Sequence, residues 1–497
     1  MEKMHYQSTR DRHVSVSASE AILAGISAEG GLFVPERIPA LEKPMSELAA
    51  LDYKELAYEV MKLYLTDYTE EELRECIRLA YGAQFDTPKV APLKKADQAY
   101  YLELYHGPTI AFKDMALQIL PHLMTVAAKK NGAREEIVIL TATSGDTGKA
   151  ALAGFADVPG TKIIVYYPKH GVSTVQEMQM VTQKGANVLV AGIEGNFDDA
   201  QAGVKRMFTD PALIGRMKQA GYRFSSANSI NVGRLIPQVV YYVYAYAQML
   251  REGRIADGDP IHVVVPTGNF GNILAAYYAK RMGVPIDHLF CASNRNKVLY
   301  DFFETGVYDR NREFYLTKSP SMDILVSSNL ERLIYEICGR DDEECRRLMK
   351  CLADEGKYEI TEEMRENLKD FRAGFATEEQ TIKAIKRTYE NAHYTIDTHT
   401  AVASSVYHYY RKETGDKTKT VIASTASPFK FARDVVLAVS PDYAYQSDLE
   451  MVDTLSQFIR KPLPETVRSL KTAKILHNTV CSKEGMQGVL EDFLGLK

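Results

Sequence analysis

The chain has 497 residues, too many for one ordinary hydrophobic core, so two or three domains are expected. Its 45% hydrophobic and 25% charged content suits a globular protein, and a net charge of −5 gives no support for binding nucleic acid or an anionic membrane surface. Six scattered cysteines form no C-x-x-C pair and complete no zinc pattern with the histidines, so no metal is expected and a reducing compartment is the simplest reading.

The first residues, Met1 to Tyr6, have no apolar signal core, and no stretch is long and apolar enough to span a bilayer. Val239 to Leu250 comes nearest, but it is short and tyrosine-rich and reads as a buried helix. A cytoplasmic protein is the expectation. The first ~80 residues show no strand–helix alternation. Gly25 to Pro35 is turn-rich, while Met45 to Tyr64 and Thr69 to Tyr81 have helical apolar spacing. Residues 1–90 are read as a small, mostly helical N-terminal domain.

From about residue 100 the pattern alternates. Glu136–Thr141 reads as a strand, followed by a turn and a helix from Lys149. Lys162–Tyr167, Ala186–Val190, His262–Val265 and Thr420–Ser424 read as further strands. Near-continuous β-branched runs between helices indicate parallel strands buried on both faces, an α/β fold whose strand-end loops share one edge. Residues 91–497 form the expected α/β region of two lobes, the smaller at roughly 130–220. Residues 341–392 are highly charged and helical in period, and read as an insertion or a lobe edge.

Lys113 stands in Thr-Ile-Ala-Phe-Lys-Asp, with too few other charges for a solvated helix face. A lysine there can lose its proton and form an imine with an aldehyde, the chemistry of pyridoxal 5'-phosphate enzymes; the competing reading is an ordinary surface charge. Asp114 falls in the first helical turn, where a carboxylate is favourable. Thr267-Gly268-Asn269-Phe270-Gly271-Asn272 follows an apolar strand and opens a helix. Glycines allow close backbone approach and helix-start amides point at an anion, so the loop suits one phosphate monoester, although a glycine pair can also be a plain turn. It lacks the lysine of a P-loop and the G-x-G-x-x-G spacing, which disfavours a nucleotide.

Ser144-Gly145-Asp146-Thr147-Gly148 is a third strand-to-helix loop. It can hold a substrate carboxylate, or be a helix start capped by Ser144 or Asp146. Thr425, just past the last strand, can meet a ring nitrogen or lie in a turn. Asp397-Thr398-His399-Thr400 reads as a capped helix start before a polar site, and Arg10, Arg12 and His13 read as surface charge before an anion patch.

Together these segments resemble threonine synthases. Tyr6 to Arg10 and Gly25 to Pro35 are similar to that family's N-terminal domain, His106 to Gln118 to its lysine segment, Thr143 to Ala151 to its substrate loop, and Thr267 to Asn272 to its phosphate loop. Ser321 to Ile324 with Ser327 to Arg332, Asp397 to Ala401, and Thr425 to Phe431 complete seven ordered matches. Two places depart from the pattern: Asn294-Arg295-Asn296-Lys297 stands for Asn-x-Asn-Asp, and Asp397-Thr398-His399-Thr400 for Asp-Pro-His-Thr.

The resemblance implies a fold-type II arrangement, two mainly parallel-sheet lobes with pyridoxal phosphate between them. It implies that Lys113 carries the cofactor, that Gly268, Asn269, Phe270, Gly271 and Asn272 hold its phosphate, and that Thr425 faces its ring nitrogen. Ser144, Gly145, Asp146 and Thr147 are then expected at the substrate carboxylate and the cofactor's phenolic edge. An ionised Asp146 there must be protonated, turned away, or paired with a cation such as Lys149. The implied reaction is γ-elimination of phosphate from O-phospho-L-homoserine and β-addition of water, giving L-threonine. The substrate's own phosphate needs a second anion site, for which Ser327, Asn329 and Arg332 are the candidates. A monomer or homodimer is expected. The alternatives are another lyase of this fold, such as a serine/threonine dehydratase, or a catalytically silent cofactor binder.

Overall fold

The computed structural model describes residues 3–143 and 145–496; Ser144 lies outside the described residues. Two parallel sheets organise the chain. The smaller has five strands in the order Thr479–Ser482, Val188–Glu194, Thr161–Pro168, Glu136–Ala142, Tyr222–Ser225, all parallel. The larger has six, in the order Phe371–Phe375, Ile286–Ser293, Ile261–Pro266, Lys419–Ser424, Ala99–Glu103, Leu93–Ala96. All neighbours there run parallel except the last pair, a hairpin. This is the expected α/β class.

Every residue of Ile261–Pro266 is buried, as befits a central strand covered on both faces. The helix Val232–Arg251 extends the expected apolar run by seven residues at its start and is buried from Val232 to Met249. It packs in one continuous core with the helices Tyr53–Met61 and Gly271–Arg281 and with one face of each sheet. Separate cores cover the other face of the six-stranded sheet and the other face of the five-stranded sheet. Among the described residues, no helix is long and apolar enough to cross a membrane.

All five expected strands form, with Ala186–Val190 displaced to Val188–Glu194. Several others carried too little local signal. Tyr222–Ser225 and Phe371–Phe375 are short edge strands with polar members, and Ile286–Ser293 is broken in pattern by Asp287 and His288. Phe371–Phe375 also means that residues 341–392 supply an edge strand between the helices Asp342–Asp354 and Glu378–Ala392. Thr479–Ser482 joins a sheet formed some three hundred residues earlier, a long-range pairing that no local pattern encodes.

The N-terminal region is helical at Ala18–Ala24, Tyr53–Met61 and Glu70–Ala80 but also holds a three-stranded antiparallel sheet, Asp11–Val16, Tyr6–Ser8, Phe33–Pro35. That sheet is anchored to the helix Leu330–Ile337. Glu331 accepts from Thr9 Oγ1 at 2.6 Å and from Arg10 at 2.8 and 2.7 Å. Arg12 pairs with Asp342 at 3.5 Å. Arg10 is therefore paired at a contact between segments, and Arg12, 61% exposed, is a paired surface charge, so the two arginines are spent on carboxylates and do not form an anion patch.

Candidate active site

The loops leaving the carboxyl ends of both parallel sheets meet around a cavity of about 480 Å³, a volume suited to a cofactor with a small substrate. Lys113, Asp146, Thr147, the whole Gly268–Asn272 loop and Thr425 line it.

Lys113 precedes the short helix Asp114–Leu117. Its segment is stitched to the chain that follows strand Lys419–Ser424: Phe112 N–H donates to Thr425 O at 2.8 Å, and Ser427 N–H to Ile110 O at 3.0 Å. Asp114 accepts from Thr109 N–H at 2.8 Å and Thr109 Oγ1 at 2.6 Å, which fixes the turn before the lysine. The ammonium donates to Ser321 Oγ at 3.2 Å and lies 3.9 Å from Asp146 Oδ2. Burial lowers the Lys113 pKa to about 8; Asp146 opposes that shift, while the positive charges of Lys430 and Arg234 add to it. A buried lysine that loses its proton near neutrality is equipped to act as a nucleophile and as a base.

Asp146 is ionised and paired. Its Oδ1 lies 3.2 Å from Lys430 Nζ and accepts from Gln176 Nε2 at 2.9 Å, while Oδ2 accepts from Ser321 Oγ at 3.3 Å. Burial works against its charge, but Lys430, Lys113 and Gln176 outweigh it and hold the carboxyl well below the usual range. The partner is thus Lys430 and not Lys149, whose Nζ donates to Gln183 Oε1 at 2.5 Å. Asp146 does not cap its helix either: the cap position is Gly145, at φ 136°, a backbone that side-chain-bearing residues rarely adopt. A Cβ there would also meet the Gln176 side chain at 2.5 Å.

The loop Thr267–Phe270 joins the strand Ile261–Pro266 to the helix Gly271–Arg281. The helix Gly271–Arg281 starts after Phe270, which is left-handed at φ 67°, and no side chain caps it. Its first amides have no acceptor within the helix and open toward the cavity-lining loop. Asn272 Oδ1 accepts from Tyr241 Oη at 2.8 Å and from Tyr242 Oη, and its Nδ2 is buried and unpartnered. A Cβ on Gly268 would meet Ser321 O at 2.5 Å, so the loop requires glycine there. An orphaned amide donor beside bare helix-start amides is what a phosphate monoester fits.

Ser327, Asn329 and Arg332 do not line the cavity. Ser327 Oγ donates to Gly268 O at 2.7 Å, and Asn329 donates to Asn269 O through both its amide and its side chain, each at 3.0 Å. Arg332, fully buried, donates to Phe33 O at 2.9 Å, to Ile230 O at 2.6 Å and to Asn329 Oδ1. The three brace the Gly268 loop from behind, with their polar atoms already spent, so the substrate-phosphate expectation does not suit them.

Three groups at the site were given no individual role by the sequence reading, although His399 and Lys430 lie in segments it singled out. Lys430 is 3% exposed, and its Nζ also donates to Thr109 O at 2.9 Å. Arg234 lines the cavity with its Nε buried and unpartnered; burial lowers its pKa to about 10, and among the described residues no carboxylate compensates it. It is the lone charge early in an otherwise apolar helix, which was the available signal. His399 lines the cavity, where its Nε2 accepts from Ser321 N–H at 3.1 Å. Asp397 caps the helix Thr398–Thr414, as expected, and also holds His399 Nδ1 at 2.8 Å. Asn294 and Asn296 both donate to Asp323 Oδ1, at 2.8 and 2.9 Å, and the departing Lys297 is paired with Asp301 at 2.6 Å.

Residues 5–81 match the family described as threonine synthase N terminus, and residues 85–363 that of pyridoxal-phosphate dependent enzymes. The chain is 40% identical to Threonine synthase-like 1 of Macaca fascicularis over 86% of this chain and 59% of the relative, so it spans about six-tenths of that protein's length. It is 36% identical to the threonine synthase of Schizosaccharomyces pombe, over 90% of this chain and 92% of the relative. In three dimensions it is similar to the PLP-bound threonine synthase from Brucella melitensis, with a TM-score of 0.88 and 35% identity over 99% of each chain. With matches through both its N-terminal region and its two lobes, and with Lys113 and the Gly268 loop lining one cavity, the chain belongs to the threonine synthase family of pyridoxal-phosphate-dependent enzymes.

Proposed function

We propose that this protein converts O-phospho-L-homoserine and water to L-threonine and phosphate. The observation that carries the reading is a cavity with two independent anion-binding elements: the Gly268–Asn272 helix start and the uncompensated guanidinium of Arg234. One suits a cofactor phosphate, the other a substrate that is itself a phosphate ester.

Pyridoxal phosphate, when bound, supplies an electron sink for carbanions next to the substrate nitrogen. The chain's residues divide the remaining work. Lys113 anchors the cofactor, and Gly268, Asn269, Phe270, Gly271 and Asn272 hold its phosphate, with Asn272 Nδ2 as the side-chain donor. Thr425 faces the ring nitrogen. Gly145 and Thr147 receive the substrate carboxylate, together with Ser144. Asp146 lies at the phenolic edge, its charge balanced by Lys430 at 3.2 Å. Arg234 replaces Ser327, Asn329 and Arg332 as the principal ligand of the substrate phosphate.

With its amine free of the cofactor, Lys113 would stand as a base beside Ser321 Oγ. It would remove the α-hydrogen, and a β-hydrogen would be lost as phosphate leaves the γ-carbon; a proton returned to the γ-carbon, the OH of water added at the β-carbon and a proton given back to the α-carbon would then complete L-threonine. One amine can both take and give protons in this sequence because its pKa of about 8 lies near the working pH. We place the protein in a reducing, cytoplasmic setting, in keeping with its six free cysteines.

The test is to incubate the holoenzyme with O-phospho-L-homoserine and measure phosphate and threonine together. Equal amounts of both support the proposal. Phosphate with 2-oxobutanoate would replace it with a phospho-lyase that fails to add water, and no release would replace it with a different substrate or a silent binder.

A further inference from the structure

The edge of the six-stranded sheet remote from the cavity carries a second cluster of chemistry. His262 is the second residue of strand Ile261–Pro266, and Asp287 and His288 are the second and third of its parallel neighbour Ile286–Ser293. The Gly268 loop leaves the opposite end of the first of these strands. One ligand atom from each of the three side chains lies within 4.8 Å of the other two.

His262 is 1% exposed and its ring is held from behind. Its Nε2 lies 2.8 Å from Asp416 Oδ2, an oxygen that also accepts from Tyr410 Oη at 2.8 Å, while Asp416 Oδ1 accepts from Thr418 N–H at 2.8 Å. A fixed carboxylate at Nε2 puts the proton there and leaves the lone pair on Nδ1. That Nδ1 is buried and has no hydrogen-bond partner, and the same holds for His288 Nδ1. Leaving two such nitrogens unpartnered is costly unless a ligand takes them. Both face one carboxylate: His262 Nδ1 is 3.7 Å from Asp287 Oδ2, and His288 Nδ1 is 3.0 Å from Asp287 Oδ1. These separations bracket the roughly 3.4 Å between ligand atoms around a tetrahedral zinc.

We propose that His262 Nδ1, His288 Nδ1 and an Asp287 carboxylate oxygen bind one divalent ion of the zinc class, with Asp416 as the outer carboxylate that orients His262. Two imidazoles and a carboxylate select such an ion over calcium or magnesium, and a carboxylate behind a ligating histidine is the usual support. The Asp287 side chain is 45% exposed, so an ion can enter from solvent and water can complete its shell. The ion is structural. It ties the starts of two adjacent strands and, through Asp416, the approach to strand Lys419–Ser424. Sequence spacing hid the site, because one ligand comes from a different strand.

The test uses the holoenzyme, freed of metal by dialysis and titrated with Zn²⁺ against a chromophoric chelator. The expected result is one ion bound per chain with a rise in Tm. Asp287→Asn and His288→Ala should each weaken binding by about tenfold or more and abolish the rise in Tm. Asp287→Asn is isosteric and half-exposed, so it decides the matter if His288→Ala costs too much stability. No stoichiometric zinc in the parent protein, or an affinity unchanged in Asp287→Asn, would overturn the proposal and leave a histidine cluster paired with carboxylates.

Discussion

Replacing Asp146 by Asn removes the negative charge 3.9 Å from Lys113 Nζ while keeping the side-chain volume. At an effective dielectric of about 20, that charge is worth about 4 kcal/mol to the ammonium, or about three pKa units as an upper bound. Lys113 already stands at about 8, held up by Asp146 against burial and against the charges of Lys430 and Arg234. In Asp146→Asn its pKa should therefore fall by about one to three units. Lys430→Met removes a positive charge that lowers Lys113, so the same pKa should rise. The assay mixes cofactor-stripped protein with pyridoxal phosphate across a pH series and follows the absorbance of the lysine-bound form. Its rate tracks the neutral fraction of Lys113. Breaking the buried Asp146–Lys430 pair should also cost about 3–5 kcal/mol, so the series is run well below the variants' melting temperatures. Midpoints that stay fixed, or that move in the same direction in both variants, would refute this account of the site's electrostatics.

Lys113→Ala should abolish turnover yet retain weakened, non-covalent cofactor through the Gly268 loop; near-normal turnover would remove the lysine from its role. Arg234→Gln should raise KM for the phosphorylated substrate by about tenfold or more, the loss of one charged hydrogen bond. Arg332→Gln should instead lower Tm, because it strands the Phe33 and Ile230 carbonyls, and the reverse pattern would restore Arg332 as the phosphate ligand. His106 lies 2.5 Å from Asp86 and 3.0 Å from Glu103, and although burial opposes its charge, these carboxylates raise its pKa from 6.5 to about 9. The folded state holds that proton more tightly than the unfolded chain does, so the stabilisation is complete below pH 6.5 and is lost as pH rises through about 9. Urea unfolding should show a stability gap of up to about 3 kcal/mol between parent and His106→Gln at about pH 6, closing by about pH 9.5; a gap independent of pH would contradict the assignment.

Much of the architecture was legible locally. The strands Glu136–Ala142, Thr161–Pro168, Ile261–Pro266 and Lys419–Ser424 are dense in β-branched residues because both their faces are covered, so hydrophobicity alone marks them. The lysine segment and the Gly268 loop were legible for a different reason. A lysine among apolar residues and a glycine loop between a strand and a helix are short-range patterns, and each has few physical uses.

Charge pairing was not legible, because it is decided by residues that meet only in the folded chain. Asp146 needed a cation, and the sequence offered Lys149 three positions on. The fold instead brings Lys430 from beyond the last strand of the other sheet, and turns Lys149 toward Gln183. Ser327, Asn329 and Arg332 have the right chemistry for a phosphate, but tertiary packing spends that chemistry on backbone carbonyls at Gly268, Asn269, Phe33 and Ile230. Arg234, the one charge in the first turns of an apolar helix, is left without a counter-ion among the described residues. The sequence by itself determined the layers, the two loops and the lysine, since those follow from local hydrophobicity and backbone geometry. Which ions face one another, and so which groups are free to bind or to titrate, was decided by the tertiary structure alone, because Coulomb energy and desolvation depend on separations in space and not along the chain.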